Sequence, residues 1–256
     1  LLELGSEGRA FDFIVVSGER TAIPHGKPTE REIKDGDFVT IDFGAKVDGY
    51  SSDMTRTLAI GKIDDEKREV YNIVLNAQKK AIDNIKPGIT GGKIDEIARE
   101  HITEYGYGKF FTHSLGHGVG LDIHELPRLF KGSNDVLQVG SIVTVEPGIY
   151  MPGKFGIRIE DMILITENKI ENLTGFTKDI WFLHKIKILK VKRRFVAMNQ
   201  FVITTDNGSD LSRSLAGKFG VDMVHLTVNV DNVEYDGINN AIDVTKIYDM
   251  MKKGAT

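Results

Sequence analysis

Residues 37–60 constrain this chain more than any other stretch. Val39, Ile41 and Phe43 alternate with Thr40, Asp42 and Gly44, the period-two pattern of a half-buried strand. Asp48-Gly49 supplies a tight turn, and the pattern predicts a second strand over 51–60. Asp42 is expected on the polar face, with Ile41 and Phe43 facing the core. Asp53 lies across the hairpin, so the two carboxylates can converge. A second hairpin is predicted over 141–150 and 156–166, joined across Pro152-Gly153. It also carries acids: Glu146 follows Val143 and Val145, and Glu160 closes Ile157-Arg158-Ile159-Glu160. Burying a carboxylate in so apolar a strand is costly unless it is paired or binds a metal. Any one of these acids alone could face solvent. Four of them in two similar hairpins read as a cage for two metal ions. One imidazole is still needed, and His117 is the best candidate, because Gly116 and Gly118 let the backbone approach a metal site closely.

Composition narrows the metal chemistry. The chain has no cysteine, which excludes disulfides and thiolate sites. Metals must then be held by His, Asp and Glu, ligands suited to Mn, Co, Zn or Fe. A net charge of −4 with 41% apolar residues describes an ordinary globular chain, with no reason to expect nucleic acid or a membrane as partner. No uncharged apolar run is long enough to span a bilayer. Residues 1–9 lack a basic-then-apolar signal pattern, so a cytoplasmic location is expected.

Around the two hairpins the pattern predicts a strand over 11–16 and a turn at Ser17-Gly18. A helix is expected over 64–85, with Val70, Ile73, Val74 and Ala77 at helical spacing, ended by Pro87-Gly88. Another is expected over 93–105, stopping at Gly106; His101 and Glu104 on it are read as solvated. Two hairpins and two helices in similar order suggest an internal pseudo-repeat of α+β units. After Leu183 the chain changes character. Residues 184–197 form a basic linker, and Met198 opens a fresh α/β pattern. There a strand is predicted over 201–205, a polar turn over 206–209, a helix over 212–219 and a strand over 224–230.

Several strings carry a resemblance. They are Val16-Ser17-Gly18-Glu19-Arg20 with Pro24-His25-Gly26, Asp42-Phe43-Gly44, and Ser52-Asp53-Met54-Thr55-Arg56-Thr57. They continue with His113-Ser114-Leu115-Gly116-His117-Gly118-Val119-Gly120, His124-Glu125, Glu146-Pro147-Gly148-Ile149-Tyr150 and Arg158-Ile159-Glu160-Asp161. In this order they resemble the pita-bread metallopeptidases, and within them the Xaa-Pro aminopeptidase and Xaa-Pro dipeptidase (prolidase) branch, over about residues 5–183. Methionine aminopeptidase shares the metal ligands. His113 four residues before His117 and the Glu146-to-Tyr150 run fit the proline-directed branch better.

The resemblance implies an α+β pita-bread fold, with a curved antiparallel sheet, helices outside and two divalent metals inside, Mn first and Co, Zn or Fe as alternatives. It implies that Asp42 chelates one metal, that Asp53 and Glu160 bridge both, and that His117 and Glu146 complete the second. The metals would hold a bridging water as hydroxide, and Glu146 would carry its proton to the leaving nitrogen. His25 and His113 would lie along the substrate cleft, and His124 would polarise the scissile carbonyl. Arg158, on the strand face of Glu160, would orient the bridging carboxylates. The implied substrates are peptides with proline in the second position, dipeptides or longer. A homodimer is compatible with this reading. A non-catalytic pita-bread binding module is the alternative, against which all five ligands persist.

Proline-directed members carry an N-terminal domain and opening helices that are missing here, so domain 1–183 reads as N-terminally truncated, with apolar surface exposed where a helical layer would lie. Residues 198–256 are similar to the start of the DegV fatty-acid-binding proteins, through the run from Phe201 to Leu211, Val224-His225-Leu226-Thr227-Val228 and Glu234-Tyr235-Asp236-Gly237. Their later ligand-holding segments are absent, which leaves Ser209 and Thr256 as weak binding candidates; fatty acid is expected only if the tail were complete. The simplest expectation is two joined gene products, with a bifunctional or lipid-binding protein as the alternative.

Overall fold

The computed structural model describes residues 1–183 and four short strands between 204 and 235. The chain divides into two units, Leu1–Lys187 and Ile188–Thr256.

In the first unit β1 (Gly8–Arg9) and β2 (Ile14–Ser17) precede the first hairpin, which runs as β3 (Phe38–Phe43), β4 (Ala45–Val47), β5 (Tyr50–Ser51) and β6 (Met54–Ile60). Asp48 and Gly49 turn it with φ of 50° and 79°, the left-handed pair that a two-residue hairpin turn requires. The strand expected over 11–16 starts later, and a 3-10 helix, Gly18–Ala22, replaces the turn after it. β3 and β6 pair with Asp42 opposite Thr55, in a sheet ordered β14-β6-β3-β2 whose edge strand β14 (Phe182–Leu183) runs parallel to β6.

The inward face of β3 is the opposite of the one expected. Phe38, Thr40 and Asp42 are buried, as is Val39 on the other face, whereas Ile41 and Phe43 are half-buried. Phe38 decides the matter, because its ring packs on Tyr71 and Phe155 with centroids 6.2 and 5.6 Å away. Asp42, at i+4 on the strand, follows Phe38 inward. Val15 on β2 is 41% exposed.

Helix α1 (Asp65–Asp83) begins where the Asp64 side chain accepts from the Lys67 backbone N–H at 2.8 Å, with Asp65 and Glu66 complementing the helix dipole. Its face of Val70, Val74, Ala77 and Ala81 is fully buried. Helix α2 (Gly91–Glu104) ends before Gly106, whose φ of 85° suits a glycine past a helix terminus. His101 is buried rather than solvated, since its face of α2 packs on α1; its Nδ1 lies 2.9 Å from Lys80 Nζ. Glu104 is exposed. Both helices fall between the two hairpins, so the helices do not alternate with them.

The remaining strands are β7 (Gly116–Gly118), β8 (Glu125–Leu129), β9 (Ile142–Val145), β10 (Gly148–Met151), β11 (Phe155–Arg158), β12 (Asp161–Ile165) and β13 (Ile170–Asn172). The predicted second hairpin is therefore broken in both arms. β9 and β12 join an antiparallel sheet ordered β13-β12-β9-β7-β8, while β10 and β11 pair only with each other. A single curved antiparallel sheet is thus replaced by separate sheets, one of them with a parallel edge. α1 packs against β9, β10 and β11, and α2 against β8. Among the described residues no helix is long and apolar enough to cross a membrane.

In the second unit β15 (Thr204–Asp206) pairs in parallel with β16 (Asp222–Val224), and β17 (Val228–Val230) pairs antiparallel with β18 (Val233–Tyr235). The basic linker, the helix expected over 212–219, Ser209 and Thr256 lie outside the described residues.

Candidate metal centre

The breaks in the hairpins deliver the acids. The β9–β12 ladder ends at Val145 opposite Asp161, and the β10–β11 ladder resumes at Gly148 opposite Arg158. Between them lie Glu146-Pro147 and Ile159-Glu160, and Pro147 has no N–H with which to continue a ladder. The backbone N–H of Glu146 donates instead to Leu115 O at 2.8 Å, and that of Glu160 to Thr55 O at 3.1 Å. Asp53 sits in the corresponding gap between β5 and β6. His117 comes from the centre of β7, where a Cβ on Gly116 would overlap Thr144 O and one on Gly118 would overlap Leu126 O. Glycine on either side is what lets β7 lie this deep.

Asp42, Asp53, His117, Glu146 and Glu160 all line one cavity of about 690 Å³, together with His25, His113, His124 and Arg158. Donor atoms of Asp53, His117 and Glu160 lie within 4.8 Å of one another. His117 Nε2 is 3.3 Å from Glu146 Oε1 and 3.7 Å from Asp53 Oδ2. Nδ1 of the same ring is 3.0 Å from Gly118 O, where only an N–H fits, so Nε2 is the ring nitrogen turned toward the acids. Asp42 is tied through Oδ2 to Arg158, while its buried Oδ1 has no hydrogen-bond partner.

Electrostatics argue that this cluster is built around cations. Burial and the neighbouring Asp42 and Glu146 push Asp53 up to about 8. Burial and Asp53 raise Glu160 well above the usual carboxylate range, and burial raises Asp42 despite Arg158. Burial works against a charged His117, but the hydrogen bond and charge of Glu146 outweigh it and raise its pKa. Glu146 alone among these acids is lowered: burial opposes this, but its hydrogen bond with His117 and the charges of His117 and Arg158 prevail. Without cations the cluster must hold protons to relieve its own repulsion. Divalent ions would replace those protons and satisfy the free Asp42 oxygen, so the residues fit a metal.

The flanking groups form a second layer. Arg158 donates to Asp42 Oδ2 at 2.6 Å, to Thr55 Oγ1 at 3.1 Å and to the Tyr150 hydroxyl at 2.8 Å. Thr55 Oγ1 in turn donates to Glu160 Oε2 at 2.7 Å, so Arg158 reaches both hairpins. His113 has both ring nitrogens engaged, Nδ1 with Ser114 O at 2.7 Å and Nε2 with Tyr150 Oη at 2.8 Å. Burial lowers its pKa, which favours the neutral ring that accepts from Tyr150. Burial pushes the Tyr150 phenol up to about 12. His124 is exposed at the cavity with its ring 4.3 Å from that of His117; burial of its inner edge and His117 both lower its pKa. His25 is exposed on the cavity wall. Thr55, Tyr150 and Thr144, whose hydroxyl accepts from the His117 N–H at 3.1 Å and donates to Glu146 Oε1 at 3.2 Å, had no role in the sequence reading. Their signal was position, two residues after Asp53, four after Glu146 and two before it.

Comparison with known proteins gives this geometry a family. The sequence model of metallopeptidase family M24 matches residues 1–167. The chain is 51% identical over 176 residues to the Xaa-Pro dipeptidase of Pyrococcus furiosus, covering 69% of this chain and 51% of that protein. Among solved structures it is similar to the Xaa-Pro dipeptidase from Bacillus anthracis, at TM-score 0.70 and 50% identity, covering 71% of this chain and 51% of that one. It is also similar to the X-Pro aminopeptidase from Thermotoga maritima, at TM-score 0.69 and 47% identity, covering 71% and 52%. The chain thus spans about half the length of the relatives it matches, and over that span it shares their pita-bread fold. It belongs to metallopeptidase family M24.

Proposed function

We propose that this chain hydrolyses the bond between an N-terminal residue and proline, as a metal-dependent peptidase. The observation that carries the reading is the convergence of Asp42, Asp53, Glu146, Glu160 and His117 on one cavity, with the carboxylates crowded enough to raise three of their pKa values. Two divalent ions, manganese first, would supply Lewis acidity and lower the pKa of a water within the site. In this reading Asp42, Asp53 and Glu160 would hold one ion, and Asp53, Glu160, His117 and Glu146 would hold the other.

The chain's own groups do the rest. Glu146, kept ionised by His117, takes a proton from the attacking water and returns it to the proline nitrogen as the bond breaks. His124, neutral and exposed beside His117, can direct an N–H at the scissile carbonyl oxygen. Phe11, Ile14 and Ile123 give the cavity an apolar wall suited to a pyrrolidine ring, which presents no amide hydrogen. His25 lines the same cleft; His113, with both nitrogens occupied, offers ring surface.

Hydrolysis of an aminoacyl-proline dipeptide and of a Xaa-Pro tripeptide, with Mn²⁺ and after chelation, tests the proposal, with Glu146→Ala as control. Metal-dependent cleavage absent from the variant supports it and shows which substrate length is taken. No cleavage by a folded, metal-loaded chain rejects it in favour of a binding module. A cytoplasmic setting belongs to the same proposal, supported by a site and core that use no cysteine. The DegV likeness of residues 198–256 is likewise proposed, supported by the parallel β15–β16 pair that the start of an α/β domain needs; lipid extracted from the purified full chain would bear on it.

A further inference from the structure

Arg56 stands next to Thr55 on β6, yet its side chain leaves the other face of the strand and does not line the cavity. It is 3% exposed, and its N–H groups are spread over five acceptors. Nη1 donates to Thr55 O at 2.9 Å and to Glu160 O. Nη2 donates to Asp161 Oδ1 at 2.7 Å and Phe176 O at 2.8 Å, and Nε donates to Thr177 O at 3.0 Å. Asp161 is fully buried, and its second oxygen is held by Lys178 Nζ and Asn172 Nδ2, both at 2.8 Å.

The effect falls on Glu160. Its N–H donates to Thr55 O, its C=O accepts from Arg56, and its Oε2 accepts from the Thr55 hydroxyl. The residue lies in the gap between two ladders, where Thr55 on β6 holds its N–H but no strand N–H meets its C=O. Arg56 takes the place of that donor. Its guanidinium is itself locked by Asp161 and by the carbonyls of residues 176 and 177, which lie past the M24-matched range of 1–167. A lysine could not serve here, because a single ammonium cannot span carbonyls on three chain segments.

We propose that Arg56 is a positioning residue for Glu160, and that the Arg56–Asp161–Lys178 cluster makes the segment 172–178 part of the support of the metal centre. The inference rests on the proposed ligand role of Glu160. Removing an outer partner of a metal ligand typically costs about 10–100-fold in metal affinity.

The test uses the full chain and its Arg56→Met and Arg56→Lys variants. Mn²⁺ binding is measured by calorimetric titration, the visible absorption of the Co²⁺-loaded protein is recorded, and the thermal midpoint is followed. Ile102→Val, a trim of the buried α2 face, serves as a packing control. Both Arg56 variants are expected to weaken at least one Mn²⁺ binding step by about 10–100-fold and to alter the Co²⁺ spectrum. The control should lower the midpoint and leave affinity and spectrum as they were. Unaltered affinity and spectrum in either Arg56 variant overturn the proposal, whatever happens to the midpoint. If Arg56→Met does not fold, Arg56→Lys decides alone. Metal binding that depends on Arg56, in a chain that cleaves no Xaa-Pro peptide, would reject the peptidase reading and keep the positioning role. No Mn²⁺ binding by the unaltered chain overturns both.

Discussion

Arg158 Nη2 lies 2.6 Å from Asp42 Oδ2, a bond between two hairpins 116 residues apart in sequence. Both groups are buried, so the pair is shielded from solvent, and the charges of Asp42 and Glu146 favour the charged guanidinium against the pull of burial. It fixes which Asp42 oxygen is committed and leaves Oδ1 for another partner.

Arg158→Lys should therefore disturb the site more than its charge suggests. An ammonium cannot reach Asp42, Thr55 and Tyr150 together. Mn²⁺ affinity is expected to fall by about 10–100-fold, read by calorimetric titration. Affinity equal to that of the unaltered chain would show that Asp42 needs no orientation.

His124→Ala should act on kcat more than on KM, if its N–H meets the carbonyl oxygen mainly as charge develops there. The expected loss is about 10²–10³-fold in kcat for an aminoacyl-proline dipeptide. A rise in KM with kcat unchanged would instead make His124 a ground-state binding group.

The stability of the metal-free chain should fall as pH rises from 6.5 to 8. Asp53, raised to about 8, and Glu160, raised well above its usual range, bind protons in the folded state that the unfolded chain has already released. His117, also raised, has the same sign. The lowered His113 and His124 act in the opposite direction, but only below their ordinary value of 6.5. Each carboxyl held protonated contributes a slope of about 1.4 kcal/mol per pH unit. Thermal midpoints after chelation should decline across this window, and saturating Mn²⁺ should remove the decline. A flat metal-free profile would mean that the acids are not crowded in solution.

Gly118→Ala should weaken the fold as well as the site. Its Cβ would meet the backbone at Leu126 and Glu125, which cannot yield as a side-chain tip can. The expected cost is about 1–3 kcal/mol in denaturant unfolding, with weaker Mn²⁺ binding through His117. A variant as stable as the parent would show that β7 and β8 have slack between them.

The sequence by itself determined the local geometry and the chemistry of the donors. Asp48-Gly49 is a turn because the Asp and Gly tolerate positive φ, and Asp64 begins a helix because its side chain reaches the Lys67 N–H. Having no cysteine, the chain leaves any metal to oxygen and imidazole ligands. Tertiary structure decided which face of each element turns inward. The alternation in β3 is satisfied by either face, and only Phe38 packing on Tyr71 and Phe155 puts Asp42 inside. The breaks at Glu146-Pro147 and Ile159-Glu160 exist because each arm of the hairpin passes from one sheet into another, a matter of partners distant in the chain. The same is true of Tyr150, Thr55 and Arg56. Each is an ordinary strand residue until its hydrogen-bond partner arrives from elsewhere in the chain: His113 for Tyr150, Glu160 for Thr55 and Arg56. Turns and caps are settled within a few residues, whereas burial and hydrogen bonds across sheets are settled only when the chain has closed on itself.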